Sequence, residues 1–198
     1  VRFPSHNIFK ELLRQLKYPL AAPSANITTQ VSAVKAADVK EEFGEKIKYI
    51  LDGGRCSVGI ESTIINLTGK PTILRLGGLD ISKIQKVLKF KISMNINPKN
   101  KIFPGQSHLH YSPGIPVKMN VSKPNNNSAF ILINKRRTKS NNYYYLSTKK
   151  NLDEAAQNLY SCLRKIKNNG YKLIEVEKIP NRGLGKVIND RLIRASKF

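Results

Sequence analysis

The chain has 198 residues, 40% apolar and 24% charged, and its 35 Lys and Arg against 13 Asp and Glu give a formal net charge of +22. Length alone allows one or two domains, and this apolar share, with 12 glycines, supplies a core and argues against wholesale disorder. No apolar run reaches the roughly 18 residues of a membrane-spanning helix, and two cysteines, Cys56 and Cys162, are too few for a disulfide scaffold or a four-cysteine zinc site. No membrane contact is expected, and the expected setting is reducing and cytoplasmic. The charge is uneven. Residues 1–98 carry 15 basic and 8 acidic groups, and residues 99–198 carry 20 and 5. Such an excess suits a polyanion such as RNA. However, the basic residues mostly stand singly, and the longest cluster is Lys135-Arg136-Arg137. That pattern favours a lysine- and asparagine-rich composition spread across the surface rather than a dedicated nucleic-acid face.

The elements follow in chain order. Residues 7–17 read as a helix with Ile8, Leu12, Leu13 and Leu16 on one face, stopped by Pro19. The segment PLAAPSAN (19–26) reads as a short buried strand ending in a polar loop. Residues 34–43 predict a second helix, and Ile47 to Leu51 a strand ending at the turn Asp52-Gly53-Gly54. Gly59 to Leu67 and Thr72 to Arg75 form a predicted hairpin, turned at Gly69-Lys70-Pro71. Asp80 caps a predicted helix whose apolar face is Ile81, Ile84, Val87 and Leu88. From Phe90 to Pro116 periodicity fades, as in a functional or linking segment. A second globular pattern follows. Ala129 to Ile133, Tyr143 to Leu146 and Leu173 to Val176 are strand candidates. Asn151 and Glu154 form a capping-box pattern ahead of an amphipathic helix, and residues 185–196 predict the last helix. Strands alternating with helices predict an α/β unit with parallel pairing.

Known chemical signatures are few. The chain lacks a Walker-type loop, a GxGxxG turn and an HExxH pair. His108 and His110 share a face in an extended segment, but too few Cys or acidic partners lie nearby for a metal site. What remains is a series of hydroxyl, amide and guanidinium groups in loop-prone surroundings. Ser24 and Asn26 stand two apart after Ala22-Pro23, and Ser32 follows eight residues after Ser24. Glu61-Ser62-Thr63 interrupts an apolar stretch, and Arg75 ends a strand ahead of Gly77-Gly78. Such groups cradle phosphates and carboxylates without covalent chemistry. They equally serve turns and surface ion pairs.

These segments, in this order, resemble a known family. VRFPSH, PLAAPSAN, LDGGRCSVGIESTIINL and ILRLGG are similar to successive motifs of a YrdC-type domain. PGQSHLHYSP resembles the interdomain segment of Sua5-type threonylcarbamoyl-AMP synthases. AAQNLYSCLRKIKNNG and GLGKVINDRLIRA resemble their closing domain. The departures are Arg55, Asn66, Leu76, Gln106 and Leu109, which replace the family's usual Pro, Asp, Pro, Met and Arg.

The resemblance implies an α/β fold: the C-terminal part of a YrdC-like twisted-sheet domain (1–92), an interdomain linker or lid (93–115), and a smaller Rossmann-like Sua5 domain (116–198). It implies that L-threonine, bicarbonate or CO2, and ATP give threonylcarbamoyl-adenylate and pyrophosphate, with Mg2+ on the phosphates. The product would serve a separate transferase complex that modifies adenosine 37 of ANN-decoding tRNAs. Ser24, Asn26, Ser32, Arg75 and Tyr111 would bind ATP, with Tyr111 closing over the nucleotide. Arg2, the Ala22 backbone and Ser62 would bind threonine. No enzyme nucleophile is implied. The chain begins at Val1 inside a dense motif. The expectation is therefore that the first half of the catalytic domain lies outside it, and that these residues alone make little product. The competing expectations are a basic RNA- or tRNA-binding module without catalysis and an inactive gene fragment.

Overall fold

The computed structural model describes residues 4–95, 110–137 and 140–197. Two helices open the chain, α1 (Asn7–Gln15) and α2 (Ala36–Phe43), the second followed by a single 3-10 turn. A three-stranded sheet comes next, ordered β1 (Ile64–Asn66), β2 (Thr72–Arg75) and β3 (Ser93–Met94). β1 and β2 make the predicted antiparallel hairpin, and β3 joins β2 in parallel after helix α3 (Ile81–Leu88). The Asp80 carboxylate caps α3 by accepting from the Ser82 amide at 2.8 Å.

The second sheet is wholly parallel. Its strands are β4 (Val117–Lys118), β5 (Ala129–Leu132), β6 (Tyr143–Tyr145) and β7 (Ile174–Val176), in the order β4-β7-β5-β6. Two helices complete it, α4 (Leu152–Asn168) and α5 (Leu184–Ala195), packed against each other. A parallel sheet needs cover, and here β5 and β7 are buried at every position. The main core joins these strands to Ala155, Leu159, Leu163 and Ile166 of α4 and to Ile188, Leu192 and Ala195 of α5. The fold class is the expected α/β arrangement.

Three sequence expectations are corrected. PLAAPSAN is neither strand nor buried: residues 19–24 are exposed coil. Residues 47–51 form no strand, and Tyr49 is 80% exposed. Residues 47–51 have strand-like composition, but no described strand lies beside them to accept a ladder, and in 19–24 Pro19 and Pro23 remove two ladder donors. The Asn151 cap forms only half a box. Its side chain accepts from the Asp153 and Glu154 amides, but Glu154 turns instead to Ser147 and Thr148.

The smaller core depends on the larger unit. It consists of Ile73, Leu76 and Ile92 together with Val187 from α5. Expressed alone, residues 116–198 are expected to unfold in one cooperative calorimetric transition. Residues 1–92, deprived of Val187 and of the surface of α4, are expected to show none. A cooperative transition from isolated 1–92 would contradict this.

Candidate functional site

The hairpin, the loop before α2 and the two long helices meet at one carboxylate. Glu61 sits just before β1, and its carboxylate accepts hydrogen bonds from Ser32 Oγ at 2.8 Å, Tyr160 OH at 2.9 Å and Arg191 Nε at 3.1 Å. Arg191 is only 1% exposed. Its guanidinium also donates to the Leu76 carbonyl at 2.6 Å and to Asp190. It stands 4.8 Å above the Tyr111 ring, which stacks on Tyr160 with centroids 5.6 Å apart. Burial opposes the charge on Glu61. Arg191, the Ser32 hydroxyl, a backbone amide and the Tyr160 hydroxyl outweigh it and hold the carboxyl below its ordinary value. Burial pushes the Tyr160 hydroxyl well up, and Glu61 pushes it further, so it remains a donor.

Backbone approach makes this meeting possible. Gly78 N donates to the Glu61 carbonyl at 2.9 Å. A Cβ on Gly77 would lie 2.2 Å from the Ser62 and Thr63 backbone, so only glycine lets the chain after β2 press against residues 61–63. Gly59 adopts φ +72°, and a Cβ there would meet the Gln157 backbone of α4 at 2.4 Å.

The expected site residues fall into two groups. Ser32, Ser62, Arg75 and Tyr111 are brought together around Glu61. Arg75 is buried, and its Nε and Nη2 donate to the Ser62 carbonyl at 3.1 and 3.0 Å. Burial depresses its pKa, and Arg191 adds to the effect. Tyr111 lies within the main core at φ +62°, its hydroxyl buried without a partner. Burial raises its pKa. His110 packs edge-on against it at 4.1 Å, and burial lowers the imidazole pKa. Asn26 joins them through backbone. Its amide donates to the Gln30 carbonyl at 3.0 Å, and Gln30 bridges to Ser112. Ala22 and Ser24 stand apart on the exposed 19–24 segment. Arg2, Gln106, His108 and Leu109 lie outside the described residues. A cavity of about 410 Å³ opens between α3 and the start of α5, but none of the expected residues lines it. Among the described residues, no group of three or more His, Cys, Asp or Glu could hold a metal ion.

Sequence reasoning noted Glu61 only within a polar triplet and missed Tyr160 and Arg191. The signal was present for Arg191, which sits on the apolar stripe of Ile188, Leu192 and Ala195. A cation there needs a buried partner. Two departures from the family motifs also find roles: Arg55 donates to Asn158 Oδ1 on α4 at 2.8 Å, and Leu76 is buried in the smaller core.

Glu61 ionises more readily folded than unfolded, so it stabilises the fold above the unfolded pKa, and that contribution is lost as pH falls through the lower folded value. The stability difference between wild type and Glu61→Gln is expected to be level near neutrality. It should shrink on acidification below the ordinary glutamate value of about 4.3. Denaturant melts across pH test this, and a pH-independent difference would contradict it.

Residues 1–77 match the Sua5/YciO/YrdC family, described as telomere recombination, and residues 79–197 match the family described as threonylcarbamoyl-AMP synthase, C-terminal domain. Threonylcarbamoyl-AMP synthase of Pyrococcus abyssi is 31% identical, across 100% of this chain and 64% of that protein. The Bacillus subtilis protein of the same name is 28% identical, across 99% of this chain and 62% of its own length. A crystal structure of P. abyssi Sua5 complexed with L-threonine superimposes with a TM-score of 0.85 at 31% identity, covering 98% of this chain and 63% of that one. The chain therefore spans less than two thirds of these relatives. Among the described residues no helix is long and apolar enough to cross a membrane. The C-terminal match alone runs over more than half of the sequence, through the helices that carry Tyr160 and Arg191, and the chain belongs to the Sua5 family.

Proposed function

We propose that these residues form part of a threonylcarbamoyl-AMP synthase acting in the cytoplasm. The observation that supports this most is the continuous likeness, at 31% identity over 98% of the chain, to a Sua5 structure that holds L-threonine. The domain reading is a catalytic portion at 1–92, a linker or lid at 93–115 and a closing domain at 116–198. In the reaction, the threonine amine takes up CO2 or bicarbonate. The resulting carboxylate oxygen attacks the α-phosphorus of ATP, and pyrophosphate leaves. No bond to the protein forms, so positioning and charge neutralisation carry the catalysis.

Ser62, the Ala22 backbone and Arg2 are assigned to threonine, and Ser24, Asn26, Ser32, Arg75 and Tyr111 to ATP. The buried Glu61 ring supports the assignment of Ser32, Ser62 and Arg75, because it fixes all three within one bonded cluster. Tyr111 carries its assignment to ATP from the family likeness, and its ring is packed in the main core on Tyr160 and against Arg191. In this reading Mg2+ enters with the phosphates of ATP as part of the substrate. The adenylate then passes to a separate transferase complex that modifies adenosine 37 of ANN-decoding tRNAs.

Calorimetric titration tests the reading. L-threonine is expected to bind, and to bind more tightly when a non-hydrolysable ATP analogue is present. Salt-dependent RNA binding with no response to threonine or nucleotide would favour the basic RNA-binding module instead, a reading that the +22 charge favours.

A further inference from the structure

We propose that Arg191, on the last helix, is a positioning residue for the substrate site: it fixes the turn that carries Ser62 and the strand end that carries Arg75, and so sets threonine affinity without touching threonine. The proposal rests on the synthase reading above. Its basis is a closed ring of contacts. Arg191 Nε holds the Glu61 carboxylate at 3.1 Å, and Glu61 is bonded in sequence to Ser62. The Ser62 carbonyl accepts from both Arg75 Nε and Nη2. Arg75 is bonded in sequence to Leu76, whose carbonyl accepts from Arg191 Nη2 at 2.6 Å. Ser32 joins the ring through its own bond to Glu61. Each residue assigned to substrate in this cluster is therefore one contact from a group that Arg191 holds.

Cohesion between the two sheets does not require this arrangement. Apolar residues of similar volume commonly replace a buried ion pair with equal or better stability. What an apolar contact cannot do is specify two directions at once. The guanidinium is a rigid fork, here with one arm on a carboxylate and another on a carbonyl. Its plane is held by the Tyr111 ring beneath it and by Asp190 beside it. Moving Arg191 therefore moves both the Ser62 turn and the Arg75 strand end, while a lysine at the same place would offer one nitrogen where arginine offers two in a fixed plane.

The experiment compares the full chain with Arg191→Met, Arg191→Lys and Glu61→Gln. Each variant is titrated with L-threonine at a temperature where circular dichroism shows it folded, and amide hydrogen exchange is followed at residues 60–63 and along α4. Arg191→Met is expected to weaken threonine binding by tenfold or more, and Arg191→Lys by less. Exchange at residues 60–63 should quicken while α4 stays protected. A folded Arg191→Met that binds threonine like wild type would overturn the proposal, whatever its melting temperature. If Arg191→Met does not fold, Glu61→Gln carries the test, and unchanged affinity in that folded variant overturns it equally. Wild-type protein that binds no threonine would overturn the assignment of Ser62 to threonine, and the positioning role with it, while leaving the family membership standing.

Discussion

A guanidinium taken almost wholly out of water is the constraint around which this structure is built. Leaving such a cation unpaired would cost several kcal/mol, so every neighbour of Arg191 is committed. Glu61 supplies the countercharge, Asp190 a second one, and the Leu76 carbonyl a third acceptor. Glu61 must in turn be satisfied, and Ser32 and Tyr160 do so from different elements. The cost of burying one charge is thereby spread over the hairpin, the loop before α2, and both long helices. None of these elements can shift alone without leaving a buried polar group unpaired.

Shape follows from that electrostatic demand. Glu61 reaches Arg191 only because the chain at Gly77 and Gly78 lies flat against residues 61–63, and the chain at Gly59 lies flat against α4. Any side chain at Gly77 or Gly59 would push the carboxylate away from its partners. Tyr111 contributes from the other side. A non-glycine residue at φ +62° stores on the order of 1 kcal/mol or more of strain. Its ring repays this by filling the space between Tyr160 and Arg191.

Much of the fold was legible in the sequence because its signals were local. The α4 stripe, the Asp80 cap, the β1–β2 turn and the two central strands of the second sheet each follow from local spacing. Residues 47–51 carry an equally local strand signal, yet they remain coil, since strand formation needs a partner, while 19–26, with Pro19 and Pro23, never had the composition for one. β3 and β4 show the reverse. Two residues long, they are strands only because β2 and β7 lie beside them. The site divides in the same way. Ser32, Ser62 and Arg75 stood in recognisable motifs, whereas their common organiser joins positions 130 residues apart. No periodicity reports a contact of that range. Only the misplaced charge on an apolar stripe hinted that one was needed.

That misplaced charge also explains how one helix serves two cores. At about 100° per residue, Arg191 lies about 40° around α5 from Val187 and about 60° from Ile188. Val187 packs into the smaller core, and Ile188, with Leu192 and Ala195, into the larger. Arg191 therefore projects along the seam between them, the direction in which neither core can be sealed by its own side chains. An apolar residue at that position could join either core, and it would leave the relative angle of the two sheets to packing alone. A guanidinium bonded to Glu61 and Leu76 on one side, and packed over Tyr111 on the other, admits one angle. The seam is also where Ser32, Ser62 and Arg75 converge. The groups proposed to hold substrate thus stand where the two halves of the chain are joined by the Arg191 contacts.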